Sequence, residues 1–108
     1  MSSYRYRDLA LHELLDLAQG RAGHKPDSRA QYHLGLRYER GEGVSRNDAL
    51  AAQWFERAAE AGDTDAQRLL AYAYLHGIGL PRNDSEGIRR LRIAAEAGDP
   101  VARRQLGF

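Results

Sequence analysis

Residues 58–63 read Ala-Ala-Glu-Ala-Gly-Asp, and the same six residues return at 94–99, which is 36 positions later. A second string, Arg-Asn-Asp, stands at 46–48 and again at 82–84. The same interval relates Ala30, Leu34, Tyr38, Gly41 and Gly43 to Ala66, Leu70, Tyr74, Gly77 and Gly79. A fixed period of this size indicates stacked units, each packed on its neighbours, and not one irregular core.

Each period contains two stretches whose apolar residues follow helical spacing. A first helix, helix A, is expected over about 28–40 and 64–76. A second, helix B, is expected over about 48–61 and 84–97, and a short third helix A begins near residue 100. The sequence therefore predicts an all-α fold built from antiparallel helix pairs.

Polar residues and glycines mark the ends of these helices. Aspartate precedes every helix A and asparagine precedes every helix B, where their side chains can accept hydrogen bonds from free backbone N–H groups. The capping positions are Asp27, Asp63, Asp99, Asn47 and Asn83. Gly62 and Gly98 follow helix B, where a left-handed residue commonly ends a helix.

The turn from helix A to helix B holds two glycines, Gly41 with Gly43 and Gly77 with Gly79. Glycine permits positive φ and close approach of the backbone, so we expect tight turns here. A phosphate-binding loop is the other interpretation of two glycines at this spacing. It is disfavoured because no strand precedes the turn and no third glycine stands at the required position.

Four segments follow from the repeat. Residues 1–27 are predicted to be an N-terminal capping helix, over about 4–19, and a linker; 28–63 are repeat one, 64–99 repeat two and 100–108 a partial third repeat. Together they form one small domain. The leucines of the first helix are expected to cover the apolar side of repeat one, because the end unit of a repeat stack needs a cap.

The composition narrows the classes of function. Sixteen basic and fifteen acidic residues leave a net charge of +1, which favours neither nucleic acid nor membrane as a partner. Cysteine is absent, so disulfides and thiolate metal sites are excluded. The histidines do not pair at ligand spacing, and no cofactor or metal is predicted. No apolar run resembles a signal peptide or a membrane span, so the predicted location is cytoplasmic.

The repeat resembles the Sel-1-like repeat family, a relative of the tetratricopeptide helix pairs. The positions of repeat one that match the family pattern are Ala30, Leu34, Gly35, Tyr38, Gly41, Gly43, Val44, Ala51, Trp54, Ala58, Ala59 and Gly62. Repeat two departs from the pattern at Ala71, Gly87 and Arg90. The resemblance implies a short right-handed α-solenoid and an adaptor that holds another protein or a peptide.

Packing explains the small and aromatic repeat positions. Alanine and glycine let helices approach closely, and Tyr38 and Trp54 are expected to fill the space between them. The positions assigned to structure are Ala30, Leu34, Tyr38, Gly41, Gly43, Trp54, Ala58, Gly62, Ala66, Leu70, Tyr74, Gly77, Gly79, Ala94 and Gly98.

One stripe of residues on the A helices is left for binding. With Ala30, Leu34 and Tyr38 facing the core, helical geometry places the remaining stripe to one side. Its members are His33, Arg37 and Arg40 on the first helix A, and Leu69, Ala73 and His76 on the second. The stripes are expected to form one groove on the concave face, with Leu69 as an exposed apolar contact. The alternative is that Leu69 packs under repeat one.

The predicted function is therefore a non-catalytic protein-binding scaffold. A small hydrolase of the helical-repeat type is a disfavoured alternative, because no catalytic motif is present. An immunity or regulatory partner of another protein is a subtype of binding that the sequence leaves open. The chain is predicted to be a monomer or a weak homo-oligomer through its C-terminal end, where apolar residues such as Phe108 lack a covering repeat.

Overall fold

The computed structural model describes residues 5–21 and 23–108, and every regular element in these ranges is helical. A 3₁₀ turn, Tyr6–Asp8, precedes six α-helices. These are α1 (Leu11–Gln19), α2 (Ser28–Arg40), α3 (Asp48–Glu60), α4 (Thr64–His76), α5 (Asp84–Glu96) and α6 (Pro100–Leu106). Each helix packs on the next one along the chain, which confirms the predicted all-α solenoid of helix pairs.

The predicted capping residues hold the helix ends. The aspartate before each A helix accepts backbone hydrogen bonds from its first turn, as Asp63 does from Ala66 at 2.9 Å. The asparagine before each B helix acts in the same way, as Asn47 does toward Leu50 at 3.0 Å. The A helices α2 and α4 end at glycines with φ of 70° and 65°. Helix bounds are therefore decided by local hydrogen bonding.

Three apolar clusters form the core, and each is shared by three consecutive helices. The first contains Leu14, Ala18, Ala30, Leu34 and Trp54. The second contains Leu36, Ala51, Phe55, Ala58, Ala59, Ala66 and Leu70. The third contains Ala71, Leu91, Ala94, Ala95 and Ala102. Trp54 is buried as expected, whereas Tyr38 is half-buried and contacts both the first and the second cluster.

The first helix is shorter than predicted. It begins at Leu11 and not near Tyr4, which lies outside the described residues. The backbone is extended at Ala10, whose N–H donates to the Glu13 carboxylate at 2.8 Å. This contact caps α1 from its own first turn, so the helix starts there, and the 3₁₀ turn before it is a separate element. The leucines of α1, and Leu9 after the turn, pack on the first cluster as expected.

The two repeats place different side chains where helix A crosses helix B. In repeat one, a methyl group added at Gly35 would overlap the ring of Phe55. The equivalent positions in repeat two are Ala71 and Leu91, which share the third cluster. Compared with the first crossing, the second thus has a larger residue on helix A and a smaller one on helix B.

Candidate functional site

A groove of about 500 Å³ opens where α2, α3 and α4 meet, and we call it the interrepeat groove. Its apolar lining consists of Ala51, Ala52, Phe55, Leu69 and Ala73. Most of these side chains belong to the buried core, so the floor of the groove is the outer surface of the second cluster. This geometry offers a place for one apolar side chain of a ligand.

Polar groups stand along the rim of the interrepeat groove. They are Glu39 and Asp48 from one side, and Tyr72, His76 and Gln105 from the other. The Tyr72 hydroxyl donates to Gln105 Oε1 at 2.7 Å, which links α4 to α6. Ile78 also lines the groove, and its side chain is 43% exposed.

A second, smaller pocket of about 370 Å³ lies beside α2, and we call it the arginine pocket. Its basic residues are Arg7, Arg29, His33, Arg37 and Arg40. Tyr32 and Leu36 also line it, and both pack against the cluster that contains Phe55. Because Phe55 lines the interrepeat groove, these side chains stand between the two pockets.

The structure divides the predicted stripe between these pockets. Three of its residues, His33, Arg37 and Arg40, lie in the arginine pocket. The other three, Leu69, Ala73 and His76, line the interrepeat groove. The structure therefore does not bring the six residues together in one pocket, because Tyr32 and Leu36 pack against the second cluster between the two halves.

The guanidinium of Arg37 is hydrogen-bonded to the backbone of the N-terminal segment. Its Nη2 donates to the carbonyl oxygens of Tyr6 at 3.2 Å and Arg7 at 3.5 Å, and to that of Leu9. These carbonyls belong to the 3₁₀ turn and the extended residue after it, and that of Tyr6 also accepts the Leu9 N–H. Arg37 thus fastens this segment to α2, a structural role that the stripe assignment did not anticipate.

Leu69 has a structural reason to be apolar. It is half-buried and packs against the second cluster, while part of its side chain lines the interrepeat groove. The expectation that it is an exposed residue without a packing role is therefore wrong. Its packing also means that a charged substitution here would disturb the core.

Glu39 is half-buried at the rim of the groove. Burial raises the pKa of this carboxyl above its ordinary value, against an opposing effect of Arg40. Within residues 5–21 and 23–108, no side chain forms a hydrogen bond or an ion pair with it. Asp48, the second carboxylate of the rim, pairs with Arg46 at 3.3 Å.

The two histidines of the stripe do not meet in one site. The ring of His33 stacks on Tyr6 with centroids 5.1 Å apart and meets Tyr32 edge-on at 5.2 Å. Burial, with a smaller effect of Arg29, lowers the pKa of His33. His76 is exposed at the groove rim. Among the described residues, no group of three or more histidine or acidic side chains is placed to hold a metal ion.

Sequence reasoning missed Glu39, Asp48, Tyr72 and Ile78 as groove residues. A comparison of the two repeats would have found two of them, because residues 36 apart should be similar where only packing acts. Glu39 corresponds to Leu75, and Ile78 corresponds to Glu42. At each of these two positions, one repeat has a charged residue and the other has an apolar one.

Comparison with known proteins identifies the family of this chain. The profile of the Sel1 repeat matches residues 28–63 and 64–99, which together make up most of the chain. The chain belongs to the Sel1 repeat family. Sel1 repeat proteins are generally protein-interaction scaffolds and are typically non-catalytic. A search of curated proteins found no match.

Solved Sel1 repeat structures resemble this chain closely. A Sel1 repeat protein from Oxalobacter formigenes is 40% identical with a TM-score of 0.72, covering 75% of this chain and 24% of its own. The protective antigen c5321 of uropathogenic Escherichia coli, which displays an SLR fold, is 37% identical with a TM-score of 0.72, covering 75% of this chain and 17% of its own. Cysteine rich protein B of Helicobacter pylori is 27% identical with a TM-score of 0.68, covering 69% of this chain and 56% of its own.

This Sel1 repeat chain thus spans less than two thirds of the length of each of these relatives. In the part of the chain that the structure describes, no helix combines the length and the apolar character needed to cross a bilayer.

Proposed function

We propose that this Sel1 repeat chain binds a peptide segment of another protein in the interrepeat groove, without catalysis. The observation that carries the proposal is the groove itself, which combines an apolar floor with a polar rim in about 500 Å³. Helical grooves of this kind receive one or two anchor side chains from an extended or helical segment. The rim then fixes the orientation of the segment through hydrogen bonds.

The proposal keeps half of the predicted stripe. Leu69, Ala73 and His76 are proposed as contact residues, together with Ile78. Arg37 is assigned to the N-terminal segment, because its guanidinium already donates to backbone carbonyls there. His33 and Arg40 lie in the neighbouring arginine pocket, where they can meet only the flank of a bound segment.

The other predicted properties rest on the sequence alone. The cytoplasmic location stays a prediction, as does weak self-association through the C-terminal end, where Phe108 is exposed. An immunity or regulatory partner would use the same groove. No observation favours the hydrolase alternative, since the histidines of the stripe lie in different pockets.

The test is a selection of random dodecapeptides displayed on phage against immobilised wild-type protein. Enriched peptides are then measured against Ala73→Arg, which places a long side chain in the groove and copies Arg37, the residue at the same register in repeat one. Ala61→Arg is the matched control, because Ala61 is exposed at the end of α3. Circular dichroism and thermal melting must first establish that both variants are folded.

We expect the selected peptides to bind wild type and Ala61→Arg alike, and to lose at least about tenfold in affinity for Ala73→Arg. Peptides that bind all three proteins equally well would place the binding surface elsewhere. A selection that enriches no peptide would contradict the proposal directly.

A further inference from the structure

We infer that the interrepeat groove selects a segment that carries a basic side chain, lysine or arginine, beside its apolar anchor. This inference rests on the proposed function and names the chemistry of the partner. It also reverses the charge that the predicted stripe favoured, since arginines on the groove would have called for an acidic segment. The structure instead places two carboxylates, beside His76, on this rim, and it places four arginines with one carboxylate, Glu42, in the other pocket.

Glu39 is the first observation. Its counterpart in repeat two, Leu75, packs so closely on α5 that a methyl group added at Gly87 would lie 2.7 Å from its Cγ. An apolar side chain therefore suits this register of the helix pair. Repeat one holds a half-buried carboxylate here, without an ion pair among the described residues, and such a group opposes folding until a cation reaches it.

The second observation is the balance of charge around Glu39. Asp48 adds a second carboxylate to the same rim. The cations nearest to this pair are Arg40 and Arg46, and both are exposed. Arg40 lies 3.5 Å from Glu42 and Arg46 lies 3.3 Å from Asp48, so each already has an acidic neighbour at the surface. A ligand cation would add a charge-assisted hydrogen bond where Glu39 has none.

Ile78 is the third observation, and it supplies the apolar half of the recognition. It stands in the turn after α4 and is 43% exposed, although the same position in repeat one holds Glu42. Its side chain continues the apolar lining of the groove toward solvent. If the apolar anchor of the ligand covers Ile78 and Leu69, a neighbouring basic side chain of the ligand lies close to the carboxylates of the rim. The groove can therefore contact both parts of the proposed motif.

The experiment uses two synthetic octapeptide pools of defined composition. One pool has leucine and lysine fixed three positions apart, with alanine, glycine and serine elsewhere; the other pool has glutamate in place of the lysine. Binding of each pool is measured by biolayer interferometry at low and at moderate salt. We expect wild type to prefer the lysine pool by about tenfold at low salt, because only lysine can donate a charge-assisted hydrogen bond to Glu39 and screening is weak there.

Two variants test whether Glu39 is the source of that preference. Glu39→Leu copies repeat two and should keep the fold while removing the preference, and Glu39→Lys should invert it toward the glutamate pool. The matched control is Glu60→Gln, an exposed carboxylate on α3 that should leave the preference unchanged. A preference that survives Glu39→Leu in a folded protein would overturn the inference.

The remaining outcomes separate this inference from the proposed function. If both pools bind wild type equally and Ala73→Arg removes both, the inference fails and the groove remains the binding surface. If Ala73→Arg changes the binding of neither pool, the inference and the proposed function both fail. A second copy of the chain is the other possible occupant. Self-association of wild type in sedimentation experiments, lost in Ala73→Arg and with neither pool bound, would also overturn the inference.

Discussion

At the scale of single residues, the crossing of helix A over helix B depends on one glycine. Gly35 on α2 has no room for a methyl group, because the ring of Phe55 occupies that space. Repeat two holds Ala71 and Leu91 at the same register, and both are buried in one cluster. The two pairs are alternative ways to fill a similar volume, because close packing limits the sum of the side chains and not each one separately.

We therefore predict that Gly35→Ala destabilises the protein by about 1–3 kcal/mol, since the added methyl group must displace a buried ring. Phe55→Leu alone should also destabilise it, because a cavity is left behind. The double variant, which copies repeat two, should be more stable than the sum of the single changes predicts. Urea unfolding of all four proteins gives the coupling free energy. A coupling energy near zero would mean that the two positions do not share this space.

At the scale of an element, the N-terminal segment is held from outside and not by its own helix. The 3₁₀ turn and the extended residue after it present carbonyl oxygens to α2, and only a single turn of backbone hydrogen bonding holds them otherwise. Arg37 of α2 donates to three of these carbonyls, and the hydroxyl of Tyr6 donates to Asp27 at 2.9 Å. All three contacts come from Nη2, so its two N–H groups are shared among the three acceptors.

Removing that guanidinium should loosen the segment without melting the solenoid. In Arg37→Met we expect faster hydrogen exchange at the amides of Asp8 and Leu9, which the 3₁₀ turn protects, and unchanged exchange in α4 and α5. The loss of stability should be about 1 kcal/mol, because half-buried acceptors lose a charged donor. Arg92→Met, on an exposed site of α5, is the control. Equal exchange at Asp8 and Leu9 in both variants would contradict this role of Arg37.

At the scale of the whole molecule, a ladder of ion pairs links the N-terminal ends of the A helices. Arg29 donates to Asp63 at 3.0 Å and to Asp65 at 2.8 Å. Arg68 donates to Asp65 at 2.8 Å and to Asp99 at 3.1 Å. The buried capping aspartates of α4 and α6 thus each receive a donor from the preceding A helix. Such contacts couple neighbouring repeats, whose stability is a sum of unit and interface contributions.

Asp65 accepts from both arginines of the ladder, and it should make the free energy of unfolding depend on pH. Burial raises its pKa, but the hydrogen bonds from Arg29 and Arg68 outweigh that effect and lower the pKa below its ordinary value. A carboxyl with a lower pKa in the folded state stabilises the protein above its unfolded pKa, and this stability is lost as the pH falls through the folded value. Urea unfolding at pH 7 and near pH 3 measures this contribution.

Asp65→Asn should therefore lower the free energy of unfolding at pH 7 by about 1–3 kcal/mol, and the difference from wild type should shrink in acid. The control is Asp16→Asn, because Asp16 is exposed on α1. A difference that stays constant down to pH 3 would show that the charge of Asp65 does not contribute.

The local part of the fold was predictable from the sequence. The bounds of α2 and α4, the capping aspartates and the glycine turns follow from residues within a few positions of one another, and the 36-residue period repeats them. Helix caps and turns depend on the backbone next to them, so short stretches of sequence are enough to determine them. Core positions such as Ala30, Leu34 and Leu70 followed from helical spacing, whereas Phe55 was not assigned to the core although it is buried.

The tertiary structure alone decided where the long polar side chains go. Arg37 and Arg29 stand on the same helix, yet one reaches back to the N-terminal segment and the other reaches forward to repeat two. Glu39 was assigned to neither surface by its spacing, and only the packing of α2 on α3 brings it to the interrepeat groove. A long side chain has several partners within reach, and the distances between helices that are far apart in sequence select among them.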